Sequence, residues 1–321
     1  MTAKDEQRRE TRFTTFALRH AGDADADAAA ASRIVVRALN DLAAKQGRLP
    51  LSAPDDHAAP ALRHVIATDG QRFWLAGDGD SPVAFGAGLV RGALAYCAGL
   101  FVLPEWQGRG LGRRLFEAAL AELPAAGGVA ALTSSAANPI SNGLYARHGI
   151  YPQSALLYLT GPAAIAGSSP DRTGGLDVEP LTEGVVGELD EIDAAVLEAD
   201  RTLDHLWFLT RPAHPGWLFR RRGRAVGYAY LGGDETEGVS IVGPVATLRA
   251  QDQTAALRCA LGELAARGCE RATVCVPGPN LTAQRMLWQA GFSFEGTAGL
   301  ICASRRFGRL DRYVLAGDCL M

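Results

Sequence analysis

Apolar residues along the chain fall into short runs of strand length that alternate with amphipathic segments of helix length. Residues 13–18 predict a first strand, and residues 25–44 predict an Ala-rich helix. One face of that helix carries Ile34, Val35, Ala38, Leu39 and Leu42. The elements predicted next are a helix, three strands, a helix, a strand, a helix and a strand, over residues 58–67, 72–76, 82–90, 94–103, 110–123, 129–134, 139–148 and 154–159. This order, β-α-α-β-β-β-α-β-α-β, predicts an α/β fold in which the helices pack on a mixed β-sheet.

Residues 161–175 contain mostly glycine, proline, serine and small residues without a hydrophobic period, which is typical of a linker. After them the same order of elements begins again. The second series has a strand, two helices, a hairpin, a strand, a helix, a strand and a helix, over residues 176–180, 185–199, 203–209, 216–231, 239–244, 252–266, 272–276 and 281–290, and two final strands around Leu300 and Tyr313. The predicted organisation is therefore a domain over 13–160, a linker over 161–175 and a second domain over 176–321.

A constant offset between the two series supports an internal repeat. Asn138 and Asn280, Leu115 and Leu257, and Gly149 and Gly291 are each separated by 142 positions. One offset that holds across two helices and a helix end indicates a duplicated unit.

A glycine-spaced turn follows the apolar run at residues 94–103 and opens the next helix. Gly108, Gly110 and Gly112 allow the backbone to come close to a ligand, and the N-terminus of a helix favours negative charge. This arrangement predicts an anion site, and a pyrophosphate is its natural guest. The spacing of two differs from the dinucleotide fingerprint G-x-G-x-x-G.

The stretch Leu100-Phe-Val-Leu-Pro104 followed by Gln107-Gly-Arg-Gly-Leu-Gly112 resembles the acetyl-CoA signature of the GNAT superfamily of N-acetyltransferases. The resemblance implies two tandem GNAT domains over nearly the whole chain, with acetyl-CoA as co-substrate and no metal. It implies a pyrophosphate on the backbone N–H groups of residues 108–113 and an oxyanion held by N–H groups of residues 101–103. The residues implied in donor binding are Phe101, Val102, Leu103, Gln107, Gly108, Arg109, Gly110, Leu111, Gly112, Arg113, Arg114, Asn138 and Tyr145.

The segment Asn138-Pro-Ile-Ser-Asn-Gly-Leu-Tyr145-Ala-Arg-His-Gly-Ile150 resembles a second signature of the same family. There the asparagine contacts the pantetheine arm, and the tyrosine hydroxyl lies near the CoA sulfur. Tyr145 is therefore the expected catalytic acid for the departing thiolate. The alternatives are that Asn138 only caps a helix and that Tyr145 only packs in the core.

No general base can be assigned from the sequence. Many family members place an acidic residue on the strand before the V-x-P motif, where this chain has Tyr96 and Cys97. Glu105 is expected to be a solvated turn residue. His64 and His148 are possible relays, although a surface or fully bonded histidine is commoner. A chain of waters could also serve.

The donor motif is degenerate in the second half. At an offset of 142, the three glycines correspond to Ala250, Asp252 and Thr254, and Tyr145 corresponds to Leu287. Asp252 is expected to cap its helix, in place of the pyrophosphate. We therefore predict far weaker acetyl-CoA binding in the second half, which would instead pack on the first and wall the acceptor cleft.

Composition excludes several other classes. The net charge of −3 gives no general attraction to nucleic acid, and the run at residues 220–224 is expected at a solvated hairpin tip. No apolar run is long enough to span a membrane, and the charged start does not resemble a secretion signal, so a cytoplasmic protein is expected. The six cysteines show neither a zinc pattern nor a disulfide framework.

The leading hypothesis is an N-acetyltransferase that acts on a small-molecule amine, with the donor in the first half. One alternative places the transfer in the second half and gives the first half's acetyl-CoA a structural role. Another is a non-catalytic acyl-CoA binding or sensing protein. The sequence identifies neither the acceptor nor the oligomeric state.

Overall fold

The computed structural model describes residues 16–51, 53–78, 81–121, 130–165, 173–211, 214–236 and 239–317. The helices in this part of the chain are α1 Ala24–Lys45, α2 Ala59–Asp69, α3 Leu111–Ala119, α4 Pro139–Arg147, α5 Val186–Leu197, α6 Thr202–Leu209, α7 Ala250–Ala266 and α8 Leu281–Gln289. The strands are β1 Ala17–His20, β2 Phe73–Asp78, β3 Ser81–Arg91, β4 Leu94–Val102, β5 Ala130–Ser135, β6 Tyr151–Pro162, β7 Asp177–Pro180, β8 Gly216–Arg221, β9 Arg224–Thr236, β10 Val239–Thr247, β11 Arg271–Pro277, β12 Ser293–Phe294, β13 Gly299–Ala303 and β14 Tyr313–Val314.

The predicted order of elements is confirmed except for the short strand β12, which was not predicted, and the other differences are at the ends of the elements. Strand β6 continues to Pro162 and takes up the first two residues of the predicted linker, because it pairs with β11 over its whole second half. Helix α3 ends at Ala119, four residues before the predicted end. The predicted polar start, the beginning of the first predicted strand and residues 166–172 of the linker lie outside the described residues.

The internal repeat is confirmed at the level of single residues. Helix α8 begins and ends exactly 142 positions after α4. Leu115 and Leu257 are both fully buried, and Gly149 and Gly291 both end a helix with positive φ, 74° and 87°. A glycine is required there because other residues are strained at such φ values.

The chain divides into two compact units, and this division does not follow the predicted linker. The first unit contains residues 16–89 and 97–121 of the described chain. In it β1, β2 and β3 pair antiparallel, and β4 follows β3 in the sheet. Helix α3 lies very close to β3, since a Cβ added at Gly88 would be 2.4 Å from the carbonyl oxygen of Ala119.

The second unit contains residues 90–96 and the described residues from 130 onward. Its strands lie in the order β5-β13-β6-β11-β10-β9-β8-β7, with the first residues of β4 parallel to β5. Strand β13, from near the end of the chain, thus lies between β5 and β6. Strand β6 in turn lies between β13 and β11. Strands from both predicted domains therefore alternate in one sheet, and their hydrophobic residues form a common core around Leu159, Val274 and Phe292.

We expect that residues 1–165 produced alone will not fold cooperatively, because β6 would lose both of its neighbours and β5 would lose β13. Unpaired strand edges of this kind promote aggregation. Thermal unfolding followed by circular dichroism should show no sharp transition for this fragment. Co-production with residues 173–321 should restore one. A cooperative transition in the isolated fragment would contradict the pairing described above.

Candidate functional site

The glycine-spaced turn lies in the first unit between the end of β4 and the start of α3. Gly108 and Gly110 have φ values of 75° and 83°, which other residues rarely adopt. Gly110 is the N-cap of α3, so no side chain caps the helix, and its first turn has no acidic residue. The first N–H groups of a helix have no partner within the helix. The local sequence therefore builds an exposed set of donors with a positive helix end.

The space around these glycines is open. A Cβ added at Gly108 or Gly110 would meet no atom within 4 Å, and one added at Gly112 would lie 3.8 Å from a methyl group of Val102. Arg109 and Arg113 are exposed beside the turn. Two exposed guanidinium groups at an uncapped helix start favour a multiply charged anion such as a pyrophosphate.

Aromatic stacking holds the turn in place. The guanidinium of Arg109 lies over the ring of Trp106, 4.5 Å from its centroid, and donates to the carbonyl oxygen of Glu105 at 3.2 Å. Phe16 packs edge-on against the same ring. Gln107 donates from its side-chain amide to the carbonyl oxygen of Val102 at 3.0 Å. Arg109 and Gln107 thus position the turn, and Trp106 is a contributor that the sequence motif did not indicate.

The backbone at residues 101–103 offers fewer donors than predicted. The N–H of Leu103 donates to the carbonyl oxygen of Val83 at 2.9 Å, so the prediction that it stabilises an oxyanion is wrong. The N–H of Leu103 pairs within the sheet because Leu103 extends β4 by one residue alongside β3. Since N–H directions alternate along a strand, Val102 directs its N–H to the opposite edge.

The second motif lies in the second unit, on α4. The side-chain oxygen of Asn138 caps this helix by accepting from the N–H of Ile140 at 2.9 Å. Its Nδ2 amide has no hydrogen-bond partner among the residues that the structure describes. Tyr145 is buried, with 5% of its surface exposed. Asn138 therefore caps a helix and Tyr145 is buried, as the alternatives expected, but the Nδ2 donor of Asn138 stays available for a ligand.

Three of the candidate bases, Tyr96, Glu105 and His148, each have a polar partner within the protein. The Tyr96 hydroxyl is buried and lies 2.8 Å from the hydroxyl of Ser134. Glu105 is exposed and pairs with Arg37 at 3.0 Å. A hydrogen bond from its own backbone N–H and then the nearby Arg37 hold the pKa of Glu105 below its ordinary value, which makes it a weaker base. His148 lies 3.0 Å from the carbonyl oxygen of Leu144 in its own helix.

Cys97 and His64 complete the set of candidate bases, and both are buried, with 2% and 6% of their surface exposed. The thiol of Cys97 contacts the carbonyl oxygen of Gly99 at 3.8 Å, within its own strand. The base therefore stays unassigned.

The start of α7, which corresponds to the start of α3, carries an ion pair. Asp252 does not cap α7, which contradicts the prediction; the N-cap is Arg249, and no side chain caps the helix. The Asp252 carboxylate is instead buried and pairs with Arg221 at 2.7 Å. The adjacent hairpin turns at Arg222 and Gly223, with φ values of 53° and 76°. Arg220 pairs with Glu179 and Glu188, so the basic run is a hairpin tip, as predicted, but two of its arginines are neutralised.

A buried ionic network in the second unit was not indicated by any motif. The carboxylate of Asp193 accepts from the Tyr228 hydroxyl at 2.5 Å and lies 3.1 Å from Nε2 of His205. Arg201 lies 3.4 Å from the same carboxylate and donates to the Tyr313 hydroxyl at 2.8 Å. Burial raises the pKa of both tyrosines, which keeps their hydroxyls neutral. These side chains are too far apart in the sequence to form a recognisable pattern.

Asp204 links this network to the turn between β3 and β4. Its carboxylate forms two hydrogen bonds of 2.9 Å with Arg91 and lies 3.5 Å from Arg201. All three side chains are almost completely buried. The two guanidinium groups are thus compensated by Asp204 and Asp193.

Within the described residues, no group of three or more His, Cys, Asp or Glu side chains could hold a metal ion, and no disulfide bond joins the five cysteines found there. No helix in the same part of the chain is long and apolar enough to cross a membrane.

Comparison with known proteins gives a family match within the first half and the fold of the whole. Residues 37–150 match the model of the acetyltransferase (GNAT) family. A candidate acetyltransferase from Pyrococcus horikoshii is 15% identical, with a TM-score of 0.73, over 96% of this chain and 97% of that chain. For a GCN5-related N-acetyltransferase from Sphaerobacter thermophilus the identity is 18%, the TM-score 0.60 and the coverage 94% and 99%.

A tandem GNAT protein from the clavulanic acid biosynthesis pathway shares 14% identity, with a TM-score of 0.55, over 90% of this chain and 97% of that chain. No curated protein is significantly similar to the sequence. At these identities the solved structures establish the fold, a mixed α/β architecture shared with tandem GNAT proteins.

We expect Asp204→Asn to lower the free energy of unfolding by about 3–5 kcal/mol, because Arg91 and Arg201 would lose the carboxylate that compensates them in the interior. Urea unfolding followed by fluorescence measures the change. Asp311→Asn is the matched control, since Asp311 pairs with arginines at the surface and should change stability by less than about 1 kcal/mol. Equal effects of the two substitutions would contradict the assignment of a buried network.

Proposed function

We propose that the protein is an acetyl-CoA-dependent N-acetyltransferase, because residues 37–150 match the model of the acetyltransferase (GNAT) family. Its donor binds in the first half, and its acceptor is a small-molecule amine. The observation that carries the proposal is the uncapped start of α3, with its open glycines and with Arg109 and Arg113 beside it.

In this proposal each element of the motif has one task. The turn at residues 108–113 binds the pyrophosphate, and the free Nδ2 amide of Asn138 donates to the pantetheine arm. Bound acetyl-CoA supplies a thioester, whose carbonyl carbon the amine attacks. The N–H of Val102 stabilises the negative charge that develops on the carbonyl oxygen. As the C–S bond breaks, Tyr145 gives its hydroxyl proton to the thiolate.

The acceptor must lose a proton before it attacks, since an alkylamine with a pKa of about 10 is mostly protonated at neutral pH. Neither Glu105, paired with Arg37, nor Tyr96, bonded to Ser134, is a strong base. This keeps open a second candidate function, a protein that binds acyl-CoA without transferring the acyl group. Release of free CoA that depends on an added amine, measured with a thiol reagent over a panel of amines, distinguishes the two.

We expect Gly112→Asp to abolish acetyl-CoA binding and leave the fold intact. The space at Gly112 accepts a side chain, and a carboxylate is favourable in the first turn of a helix. The same carboxylate repels the pyrophosphate by an amount on the order of 4 kcal/mol at a distance of about 4 Å near a protein surface. Titration calorimetry on ligand-free protein should show one tight site per chain and none in the variant.

Two controls accompany this measurement. Gly112→Ala should keep most of the affinity, because it adds volume without charge. Thr254→Asp, at the corresponding position of α7, should leave the single site unchanged. Two tight sites per chain, or a site that survives Gly112→Asp, would favour transfer in the second half.

We expect Tyr145→Phe to lower turnover by about 10²-fold, the lower end of the range for a positioned acid, while the affinity for acetyl-CoA stays nearly unchanged. Steady-state CoA release and calorimetry measure the two quantities separately. Tyr158→Phe is a control for the loss of a tyrosine hydroxyl on the adjacent strand β6. Full turnover in Tyr145→Phe would exclude it as the acid.

A further inference from the structure

The parallel strands β10 and β11 of the second half separate, and residues 313–315 lie between them. They pair only over Val239–Val242 and Arg271–Val274. Beyond that point β10 pairs antiparallel with β14, and the N–H of Leu315 donates to the carbonyl oxygen of Cys275 in β11 at 3.0 Å. We call residues 313–315 the C-terminal strand. It is hydrogen-bonded to both strands of the gap.

Asn280 fixes this C-terminal strand with its side-chain amide. Its oxygen caps α8 by accepting from the N–H of Ala283 at 3.0 Å, and its Nδ2 donates to the carbonyl oxygen of Tyr313 at 2.9 Å. Asn280 corresponds to Asn138, whose oxygen also caps a helix but whose Nδ2 has no partner among the described residues. The same amide is thus occupied in one half and available in the other.

The side chains of the C-terminal strand are equally well held. Tyr313 and Val314 are fully buried, and Leu315 is 3% exposed. The Tyr313 hydroxyl accepts a hydrogen bond from the buried Arg201. Removing the strand would leave that guanidinium without one of its partners and open the core around Val274 to water.

We propose that the C-terminal strand is a permanent internal ligand of the second half, which fills the gap between β10 and β11 and leaves no space there for an acyl-CoA arm like the one proposed to bind Asn138. The assignment of the first-half elements rests on the proposed function. In the second half a backbone carbonyl takes the place of a ligand amide at Asn280, and the Asp252–Arg221 pair takes the place of the pyrophosphate at α7. The second half is closed to acyl-CoA by occupancy as well as by loss of its glycines.

Hydrogen exchange measured by mass spectrometry on the full chain tests this proposal without any activity assay. The peptide containing residues 313–315 should exchange as slowly as β10. Saturating acetyl-CoA should slow exchange at residues 107–114 and leave residues 249–256 and 313–315 unchanged. Rapid exchange of the C-terminal strand, or its protection or release by acetyl-CoA, would overturn the proposal. Slow exchange without any effect of acetyl-CoA at residues 107–114 would overturn only the proposed function.

A pair of matched substitutions gives a second test. Asn280→Asp keeps the oxygen that caps α8 but removes the donor to Tyr313, so exchange at residues 313–315 should become about tenfold faster, as expected for one lost buried hydrogen bond. Asn138→Asp makes the same change at the corresponding cap and should not alter exchange at those residues. Equal exchange in both variants would contradict the role of Asn280. If Asn280→Asp does not fold, the ligand-dependent exchange of the unaltered chain still decides the question.

Discussion

Helix α3 can present its N-terminus beside the end of β4 because two glycines of β3 let the helix lie against the backbone of the sheet. A Cβ at Gly86 would be 2.9 Å from the carbonyl oxygen of Leu115, and one at Gly88 would be 2.4 Å from that of Ala119. Any side chain at these positions would push the helix outward. The proposed role of the turn in anion binding depends on this packing, since the direction of the helix determines where its free N–H groups point.

The two halves keep one framework but differ at the position of the proposed donor site. Helices α4 and α8 have the same length and the same asparagine cap, and Leu115 and Leu257 are both fully buried. What differs is the start of the preceding helix: α3 begins at open glycines, whereas the first turn of α7 carries the buried carboxylate of Asp252, paired with the partly exposed Arg221. The Asp252 carboxylate is buried and depends on Arg221, which is itself one-third exposed, so a charged ligand at this end of the helix would have to compete with that ion pair.

The sequence was sufficient for features that depend on neighbouring residues. Strand and helix types follow from local periodicity, the asparagine caps from the residue before each helix, and the open turn from glycines at positions 108 and 110 that need positive φ. It was insufficient where distant segments compete for the same group. The N–H of Leu103 is used by Val83, and the carboxylate of Asp252 by Arg221, and no local pattern specifies either partner. The network around Asp193 joins residues from three separate stretches of chain for the same reason.

The position of β13 between β5 and β6 explains what the second half of the chain, whose donor motif is degenerate, contributes to the molecule. Helix α4, which carries Tyr145, packs on β6, and β6 is bonded on one side to β13 and on the other to β11. Both neighbours come from the second half of the chain. Rigid support by well-paired strands holds a catalytic side chain more precisely than a loop does. The second half therefore fixes the element on which the proposed acid lies, and this role needs its strands and core but not a ligand site of its own. A supporting role of this kind agrees with the structure of the second half. Its sheet and helices are present, and residues 313–315 occupy the space between β10 and β11.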